Sequence, residues 1–258
     1  MTRPAPALRL FAIPGLPAVQ AGDDLCTLLS QGLSRAGEAL HDHDIVIVAQ
    51  KIVSKAEGRR VALASIEPSS RARELAAASG KDARIVELIL REARAVLRVR
   101  PGLIVVEHRL GFVAANAGVD QSNVGPDADS DAALLLPLDP DATCRRLRQD
   151  IRARCDVDVA VIISDSFGRA WRLGTIGTAI GLAGMTAIDG HAGRRDLFGR
   201  ELRATAAATG DGIAAAAALL QGEADEGQPI VVLRGLQHGS AHGTAADLLR
   251  PREEDLFR

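Results

Sequence analysis

Residues 157–163 (VDVAVII) form an apolar, β-branched run that passes directly into a polar cluster. Such a run is typical of a strand buried on both faces of a sheet. The cluster contains Asp165 and Ser166, and Arg169 and Arg172 follow it. The carboxylate suits Mg²⁺ or Mn²⁺, and the guanidiniums suit phosphate or carboxylate groups. These residues alone leave open a second interpretation, in which the aspartate caps a turn and the arginines lie on a solvated face.

Two other segments repeat this order of a predicted strand followed by polar side chains. Residues 44–49 (DIVIVA) lead to Lys51 and Lys55, whose two positive charges could bind a polyphosphate. A predicted hairpin leads to Asp120 and Asn123, which offer oxygen ligands or hydrogen-bond partners beside a glycine. Lysines on an exposed turn and an ordinary Asn/Asp/Gly turn are the alternatives at these two places.

Two more segments could contact a ligand. The turn at residues 14–17 (PGLP) is stiff, and its backbone could lie against a ligand or only reverse the chain. A predicted alanine-rich helix ends near Gln221, and Glu223, Asp225 and Glu226 follow it. Acidic residues are unfavourable at a helix C-terminus unless a positive group lies nearby. A metal ion would remove this conflict, and so would exposure to solvent.

The periodicity of apolar residues predicts alternating helices and strands. Predicted helices cover residues 23–37, 68–80, 81–99, 139–153 and 210–221. Predicted strands cover residues 8–13, 44–49, 103–107, 111–115, 132–138, 157–163, 175–188, 201–207 and 229–233.

Composition excludes several classes of protein. The chain has 258 residues, a net charge of −2 and 2% aromatic residues, so neither a basic face nor stacking rings for nucleic acid are expected. It has no apolar run of membrane-spanning length and no signal-peptide pattern, so a cytoplasmic location away from membranes is expected. Its three cysteines lie far apart without a CxxC pair and are expected to be reduced thiols.

Common catalytic and nucleotide-binding motifs are missing from the sequence. It contains no GxxxxGK[ST], no GxGxxG after a strand, no HExxH and no GxSxG. A nucleotide would therefore have to bind without the common phosphate loop.

The motifs, in this order, resemble those of the coenzyme F420-0:L-glutamate ligases, also called F420-0:γ-glutamyl ligases. Each motif is short, but their succession covers nearly the whole chain. The matching motifs are PGLP at 14–17, AGDDL at 21–25, KIVSKAEGR at 51–59, NAGVDQSNV at 116–124, LLPLDPDA at 135–142, VAVIISDSFGRAWRLG at 159–174, GRRDLFGREL at 193–202, VVLRG at 231–235 and LLRPREEDLF at 248–257.

This resemblance implies a GTP-dependent amide ligase. Such enzymes join the α-amino group of L-glutamate to a carboxylate of the deazaflavin coenzyme precursor, after GTP has phosphorylated that carboxylate. The implied fold is α+β, with mixed sheets and flanking helices in an unusual two-part ligase fold without a P-loop. One ligase-type domain of two intimately packed subdomains is expected over residues 1–258, without an additional nitroreductase-like domain. The implied assembly is a homodimer.

The resemblance also implies cofactors and the residues that bind them. GTP is the co-substrate, two divalent cations (Mg²⁺ or Mn²⁺) are expected, and a monovalent cation such as K⁺ is compatible with the family. Asp120 and Asp165 would bind one divalent cation, with Ser166 and Glu223 at the second. The residues expected around GTP are Pro14, Gly15, Leu16, Pro17, Gln50, Lys55, Asn123, Gln221, Gly222, Ala224, Asp225, Glu226, Gly227 and Gln228.

Three basic residues are the catalytic candidates. Lys55 would add positive charge during phosphoryl transfer. Arg169 and Arg172 are our own candidates for contacts to the acidic deazaflavin substrate or to the phosphates. The sequence departs from the family pattern at two positions: Gln50 stands where the family commonly has Ser, and Ser166 where it commonly has Thr. Ser166 keeps the hydroxyl group, whereas Gln50 replaces one with an amide.

Two other functions are compatible with the same residues. A metal-dependent phosphatase or nucleotide hydrolase would use these acids without ligation, and its GTP turnover would ignore added glutamate and precursor. A non-catalytic nucleotide- or flavin-binding module would be unaffected by loss of the Asp120 or Asp165 carboxylate.

Overall fold

The structure is a computed structural model that describes residues 7–124, 131–238 and 242–256. The strands are β1 Arg9–Ala12, β2 Ile45–Ala49, β3 Arg60–Ala62, β4 Ala93–Arg100, β5 Leu103–His108, β6 Val113–Ala115, β7 Ala132–Leu134, β8 Ala160–Gly168, β9 Thr175–Ala183, β10 Asp189–Gly190, β11 Ala206–Ala207 and β12 Ile230–Arg234. The α-helices are α1 Leu25–Ala36, α2 Gln50–Ala56, α3 Ser70–Ser79, α4 Ala83–Glu92, α5 Pro140–Cys155 and α6 Thr209–Gln221. The expected α+β class with mixed sheets is confirmed.

A five-stranded sheet in the order β1-β12-β2-β8-β9 is the centre of the molecule. Strands β2 and β8 run parallel, and the other neighbours are antiparallel. Side chains alternate between the faces, so Val46 and Val48 pack with α1 and α5, whereas Ile45 and Ile47 pack with α6. Covering both faces explains why β2 and β8 are apolar at successive positions.

A second hydrophobic core lies under a three-stranded sheet in the order β4-β5-β6. Helices α3 and α4 cover its inner face, where Ile104 and Val106 are fully buried. The strand period of two directs Leu103 and Val105 to the outer face. This outer face matters for the substrate proposal below.

Capping side chains and a left-handed glycine close the helix ends. The Asp24 Oδ1 atom accepts hydrogen bonds from the backbone N–H groups of Cys26 and Thr27 at the start of α1. Gly37 ends that helix in the left-handed region, with φ of 67°. At the start of α3, the Ser69 Oγ atom accepts a hydrogen bond from the N–H group of Ala72, as Asp24 does at the start of α1.

Residues 81–99 were predicted as one helix, and this prediction is wrong. Helix α4 ends at Glu92, and residues 93–100 (ARAVLRVR) form β4 antiparallel to β5. Arginine and apolar side chains alternate only partly in this segment. The pairing register shifts between Ala93 and Ala95 and between Val96 and Arg98, so the segment shows neither a clear helix period nor a clear strand period. Pairing with the buried strand β5 decides the outcome.

Several predicted boundaries also differ from the structure. Strand β8 continues beyond residue 163 to Gly168, because β9 pairs with it as far as Thr175. The lysine segment after β2 is helix α2 rather than a turn. Strands β7 and β9 end earlier than predicted, at Leu134 and Ala183. Of the predicted strand 201–207, only Ala206 and Ala207 form a strand, which pairs with β10, whereas Glu201 forms an isolated bridge with Arg195.

The hairpin at residues 188–208 is almost entirely exposed. Its strands are held by backbone hydrogen bonds, such as that from the N–H of His191 to the carbonyl oxygen of Thr205. At its tip, Leu197 and Phe198 are 98% and 94% exposed. None of the helices in the described ranges is both long and apolar enough to cross a lipid bilayer.

Candidate active site

Four neighbouring strands meet at one edge of the central sheet. The carboxyl ends of the parallel strands β2 and β8 lie there, and antiparallel pairing brings the starts of β9 and β12 to the same edge. A cavity of about 650 Å³ opens at this edge. Ligands commonly bind beyond the carboxyl ends of parallel strands, because helices cover the faces of the sheet but not its ends.

Most of the residues singled out in the sequence line this cavity. They come from α2, from the loop after β6, from β8 and from the loop between α6 and β12. The lining residues among those candidates are Gln50, Lys55, Asp120, Asn123, Asp165, Ser166, Gln221, Gly222, Glu223, Ala224, Asp225, Gly227 and Gln228.

Asp120 is held by Lys51, which the sequence suggested as a phosphate-binding cation and not as a partner of this carboxylate. The Lys51 Nζ atom lies 2.7 Å from Asp120 Oδ2 and donates a 2.8 Å hydrogen bond to Ser122 Oγ. The Ser122 N–H group donates to Asp120 Oδ1 at 2.8 Å. Burial raises the pKa of Asp120, but these hydrogen bonds outweigh it and hold the pKa below its usual range. Asp120 is therefore ionised in this arrangement.

The pKa of Asp165 is shifted in the opposite direction to that of Asp120. Burial raises its pKa to about 7, and the nearby Asp120 carboxylate acts in the same direction. The Gln50 side chain hydrogen-bonds Asp165 and accepts a 2.9 Å hydrogen bond from Ser54 Oγ. The amide at position 50 thus orients a carboxylate.

Glu223 accepts hydrogen bonds from two hydroxyl groups on the neighbouring strands β8 and β9. Ser166 Oγ donates to Glu223 Oε1 at 2.8 Å, and Thr175 Oγ1 donates to the same atom at 3.1 Å. The loop bends back at Gly222, which has φ of +70° and lies against the Glu226 carboxyl group, where a Cβ atom would not fit. Glycine is therefore needed at this position for the loop to present Glu223.

Two further contacts complete the cavity wall. Asn123 Nδ2 donates a 3.1 Å hydrogen bond to the carbonyl oxygen of Ala224, which joins two loops far apart in sequence. Lys55 lies half-buried, and burial lowers the pKa of its ammonium group, as do the positive charges of Lys51 and Arg60. An added anion would relieve this repulsion.

The donor atoms fit divalent cations of the Mg²⁺ type. They are carboxylate and hydroxyl oxygens in two pairs, Asp120 with Asp165 and Ser166 with Glu223. Within the described ranges, no group of three or more Asp, Glu, His or Cys side chains is close enough together to hold an ion. Mg²⁺ commonly uses one or two carboxylates and takes its other ligands from water and substrate phosphates, so two sparse pairs are compatible with it.

Some predicted contacts are not brought to this cavity. The turn at residues 14–17 follows β1 at the same edge of the sheet, but none of its four residues lines the cavity. Glu226 is turned away, with its carboxylate bound to the N–H of Ala224 at 2.9 Å. The sequence in turn did not single out Ser122 or Thr175. Lys51 was recognisable as a cation next to Lys55, but Thr175 became a neighbour of Ser166 only through the pairing of β8 with β9.

Arg169 and Arg172 line a second, larger cleft of about 1110 Å³. This second cleft borders the outer face of β4–β6. It shares two wall residues, Asp165 and Ser166, with the first cavity. The two spaces therefore meet at the carboxylate and hydroxyl in the second half of β8.

The fold and the two adjoining spaces define a class of protein: an α+β protein with a polar small-molecule site at the strand ends of its central sheet. The family model described as F420-0:Gamma-glutamyl ligase matches residues 15–235. The chain therefore belongs to the F420-0:γ-glutamyl ligase family, and the resemblance inferred from the motifs is confirmed.

Curated relatives agree with this assignment. The chain is similar to the coenzyme F420:L-glutamate ligase of Methanothermobacter thermautotrophicus, with 45% identity over 97% of this chain and 99% of the relative. The enzyme of the same name from Methanopyrus kandleri is 43% identical over 98% of both chains. That of Archaeoglobus fulgidus is 41% identical over 97% of this chain and 96% of the relative.

Proposed function

We propose that this protein is a GTP-dependent ligase that adds L-glutamate to the deazaflavin precursor F420-0 in coenzyme F420 biosynthesis. Family membership supports the glutamate ligation, since the curated relatives carry the name coenzyme F420:L-glutamate ligase. The use of GTP and the passage through an acyl phosphate are parts of the proposal that rest on the chemistry of the site.

One observation carries this proposal. Asp120, Asp165 and Glu223 come from three distant parts of the chain and line a single cavity, together with Lys55. Oxygen donors next to a partly desolvated ammonium group are what a triphosphate with bound cations requires. The lack of a nucleophile–histidine pair in this cavity agrees with phosphoryl transfer, which depends on positioning and charge neutralisation.

The proposed reaction has two steps. An acceptor carboxylate oxygen attacks the γ-phosphorus atom of GTP, the bond from that phosphorus to the bridging oxygen breaks, and GDP leaves. The glutamate α-amino nitrogen then attacks the acyl carbon, inorganic phosphate leaves, and the nitrogen loses a proton. Two divalent cations, when bound, would neutralise the phosphates and clamp the entering and leaving oxygens.

The residues of the chain supply binding and orientation in this reaction. Lys55 and Lys51 bring positive charge to the cavity proposed for the phosphates, where Lys51 also forms a 2.7 Å ion pair with Asp120. Gln50 orients the Asp165 carboxylate through its hydrogen bond. Asn123 fixes the loop that carries Glu223 by binding the carbonyl oxygen of Ala224. The proposal includes Mg²⁺ or Mn²⁺ as the divalent cation and room for a monovalent cation such as K⁺.

The proposal also includes a homodimer. The hairpin at residues 188–208 supports the homodimer, because two large apolar side chains at its tip are almost fully exposed and could be buried against a second copy. An isolated two-stranded hairpin is only marginally stable in water, so a surface that covers it is required for firm order.

The decisive experiment is incubation with GTP, Mn²⁺ or Mg²⁺, glutamate and F420-0, followed by mass measurement of glutamate additions. We expect addition by the wild-type protein and a loss of about a hundredfold or more in kcat for Asp165→Asn, since a group that holds reacting charge is removed. The matched control is Asp150→Asn, an exposed carboxylate outside the cavity, which should keep full activity.

Two outcomes would contradict the proposal. GTP turnover that ignores glutamate and F420-0 would indicate a phosphatase or nucleotide hydrolase. Unchanged activity in folded Asp120→Asn and Asp165→Asn variants would remove the cavity from the chemistry and favour a binding module.

A further inference from the structure

The outer face of the β4–β6 sheet is apolar where a solvated sheet face would be polar. Leu103 and Val105 of β5 point outward, since Ile104 and Val106 between and beyond them are fully buried in the core below. Val113 on the adjacent strand is 40% exposed. A contiguous apolar patch of this kind on a protein surface usually marks a binding site.

Arginines border this apolar face. Strand pairing places Arg98 opposite Val105 and Arg100 opposite Leu103, so both side chains share the outer face with the apolar residues. Across the cleft, the loop after β8 adds Arg169 and Arg172. Among the ion pairs of the described residues, none involves these four arginines, although a fifth, Arg252, pairs with Glu107 at 2.9 Å.

The charge of the second cleft is therefore strongly positive. Five arginines and two aspartates line it, and one of the aspartates is Asp165, whose pKa is raised to about 7. Guanidinium groups bind phosphate and carboxylate in a bidentate manner. An apolar floor with an arginine border suits a ligand that combines a flat ring system with several anionic groups.

The position of the cleft gives the direction in which such a ligand would lie. Its wall meets the first cavity only at Asp165 and Ser166. A ligand that extends across the cleft can reach this corner with one end, while its ring system stays on the outer sheet face. A carboxylate at that end would face the γ-phosphate of a nucleotide in the first cavity.

We propose that the second cleft binds the molecule that accepts glutamate. The ring system of this acceptor lies on the outer face of β4–β6, Arg98 and Arg100 bind an acidic group of its side chain, and its reacting carboxylate reaches the corner at Asp165 and Ser166. This proposal rests on the proposed ligase function for the identity of the acceptor. It assigns the nucleotide and the acceptor to different spaces, so the two substrates can be perturbed separately.

The test is the double variant Arg98→Gln and Arg100→Gln, compared with Arg94→Gln. Arg94 lies on the same strand and is exposed, but it does not line the cleft. Binding of F420-0 is measured by its fluorescence in the absence of nucleotide, and KM values for F420-0 and GTP are measured separately. We expect the double variant to raise the Kd and the KM for F420-0 by about tenfold to a hundredfold, since charge-assisted hydrogen bonds are lost.

In the same variant, kcat and the KM for GTP should stay near the wild-type values, and Arg94→Gln should change none of them. A second variant, Val105→Thr, keeps the side-chain shape and should also weaken F420-0 binding, because it places a hydroxyl group on the apolar floor. Melting temperatures confirm that each variant is folded.

Three results would overturn the assignment. One is unchanged F420-0 binding in both cleft variants while the wild-type protein still adds glutamate, in which case the ligase function stands and the acceptor lies elsewhere. Another is a rise in the KM for GTP alone, which would make the cleft part of the nucleotide site. The third is absence of F420-0 binding to the wild-type protein. If the wild-type protein instead binds F420-0 and the cleft variants lose this binding, but no glutamate is added, the cleft assignment stands and the ligation proposal fails.

Discussion

Among the described residues, Glu92 is a buried carboxylate with three ionic partners, Arg59, His108 and Arg109. Arg59 Nη2 lies 2.8 Å from its Oε1 atom, and Arg109 Nε lies 2.9 Å from its Oε2 atom. His108 Nδ1 accepts from the N–H of Leu110, which leaves the proton of a neutral ring on Nε2, 3.6 Å from Glu92. Burial raises the pKa of Glu92, but the neighbouring His108 ring and the hydrogen bonds from Arg109 and Arg59 together lower it to about 2.

This network predicts a pH-dependent cost for Glu92→Gln. Near pH 7 the substitution leaves two arginines without their carboxylate, and we expect it to lower the free energy of unfolding by about 3–5 kcal/mol. The folded pKa of about 2 lies below the unfolded value of 4.5, so the contribution is present above pH 4.5 and is lost as the pH falls towards 2. Urea unfolding of both proteins at pH 7 and pH 3 checks this.

The exposed carboxylate Glu67 supplies the control, and Glu67→Gln should change stability by less than about 0.5 kcal/mol at either pH. A difference between wild-type and Glu92→Gln that is equally large at pH 3 and pH 7 would contradict the electrostatic explanation.

Single candidate residues were predictable where they directly follow a strand or helix. Asp120, Asp165 and Glu223 were selected for that reason, and they line one cavity. Lys51 was predicted, with Lys55, as a cation for a polyphosphate, because a sequence cannot show that its ammonium group pairs with Asp120. The contact between Gln50 and Asp165 was equally hidden, since it depends on the parallel pairing of β2 and β8.

Among the secondary-structure elements, α6 determines where the loop with Glu223 begins. This helix packs on β9 at Gly177, where an added Cβ atom would overlap the carbonyl oxygen of Ala214. The close approach of the helix to the strand leaves no room for a side chain at this position. Since backbone atoms cannot move aside as a flexible side chain can, any larger residue would push the helix away.

We therefore expect Gly177→Ala to destabilise the protein by about 1–3 kcal/mol and to reduce glutamate addition, because α6 shifts away from β9. Gly212→Ala is the matched control in the same helix, where an added Cβ atom meets nothing within 4 Å. That change should be neutral or stabilise by up to about 1 kcal/mol. Thermal unfolding and the ligation assay check both variants, and equal melting temperatures for the two would contradict the close-packing argument.

Elements with a single clear period were predicted well, and mixed segments were not. Helix α1 has leucines on one face, and the predicted range 23–37 agrees within two residues with Leu25–Ala36. The segment at residues 81–99 changes from helix to strand at Ala93 without a glycine or proline. Only the partner strand β5 determines that change, and pairing between distant segments is not visible in a local window.

For the molecule as a whole, the exposed hairpin at residues 188–208 makes the proposed homodimer testable. Burial of Leu197 and Phe198 against a second copy would contribute about 1.5–3 kcal/mol for each side chain. We expect the double variant Leu197→Ser and Phe198→Ser to raise the dimer dissociation constant by about a hundredfold or more. Light scattering across a range of protein concentrations measures it.

Leu256→Ser is the control, since Leu256 is also an exposed leucine, at 89%, but lies outside the hairpin. A wild-type protein that is monomeric at every concentration, or a hairpin variant that dimerises as firmly as the control, would exclude the hairpin as the contact.

The central sheet places β12 between β1 and β2, with Leu10 paired to Leu233 and Val46 paired to Val232. During synthesis on the ribosome, β1 therefore has no partner in this sheet until residues 230–234 have been made. Contacts this distant along the chain slow folding, because a long loop must close before they form. The growing polypeptide thus carries Asp120 and Asp165 well before it can hold the loop with Glu223 beside them.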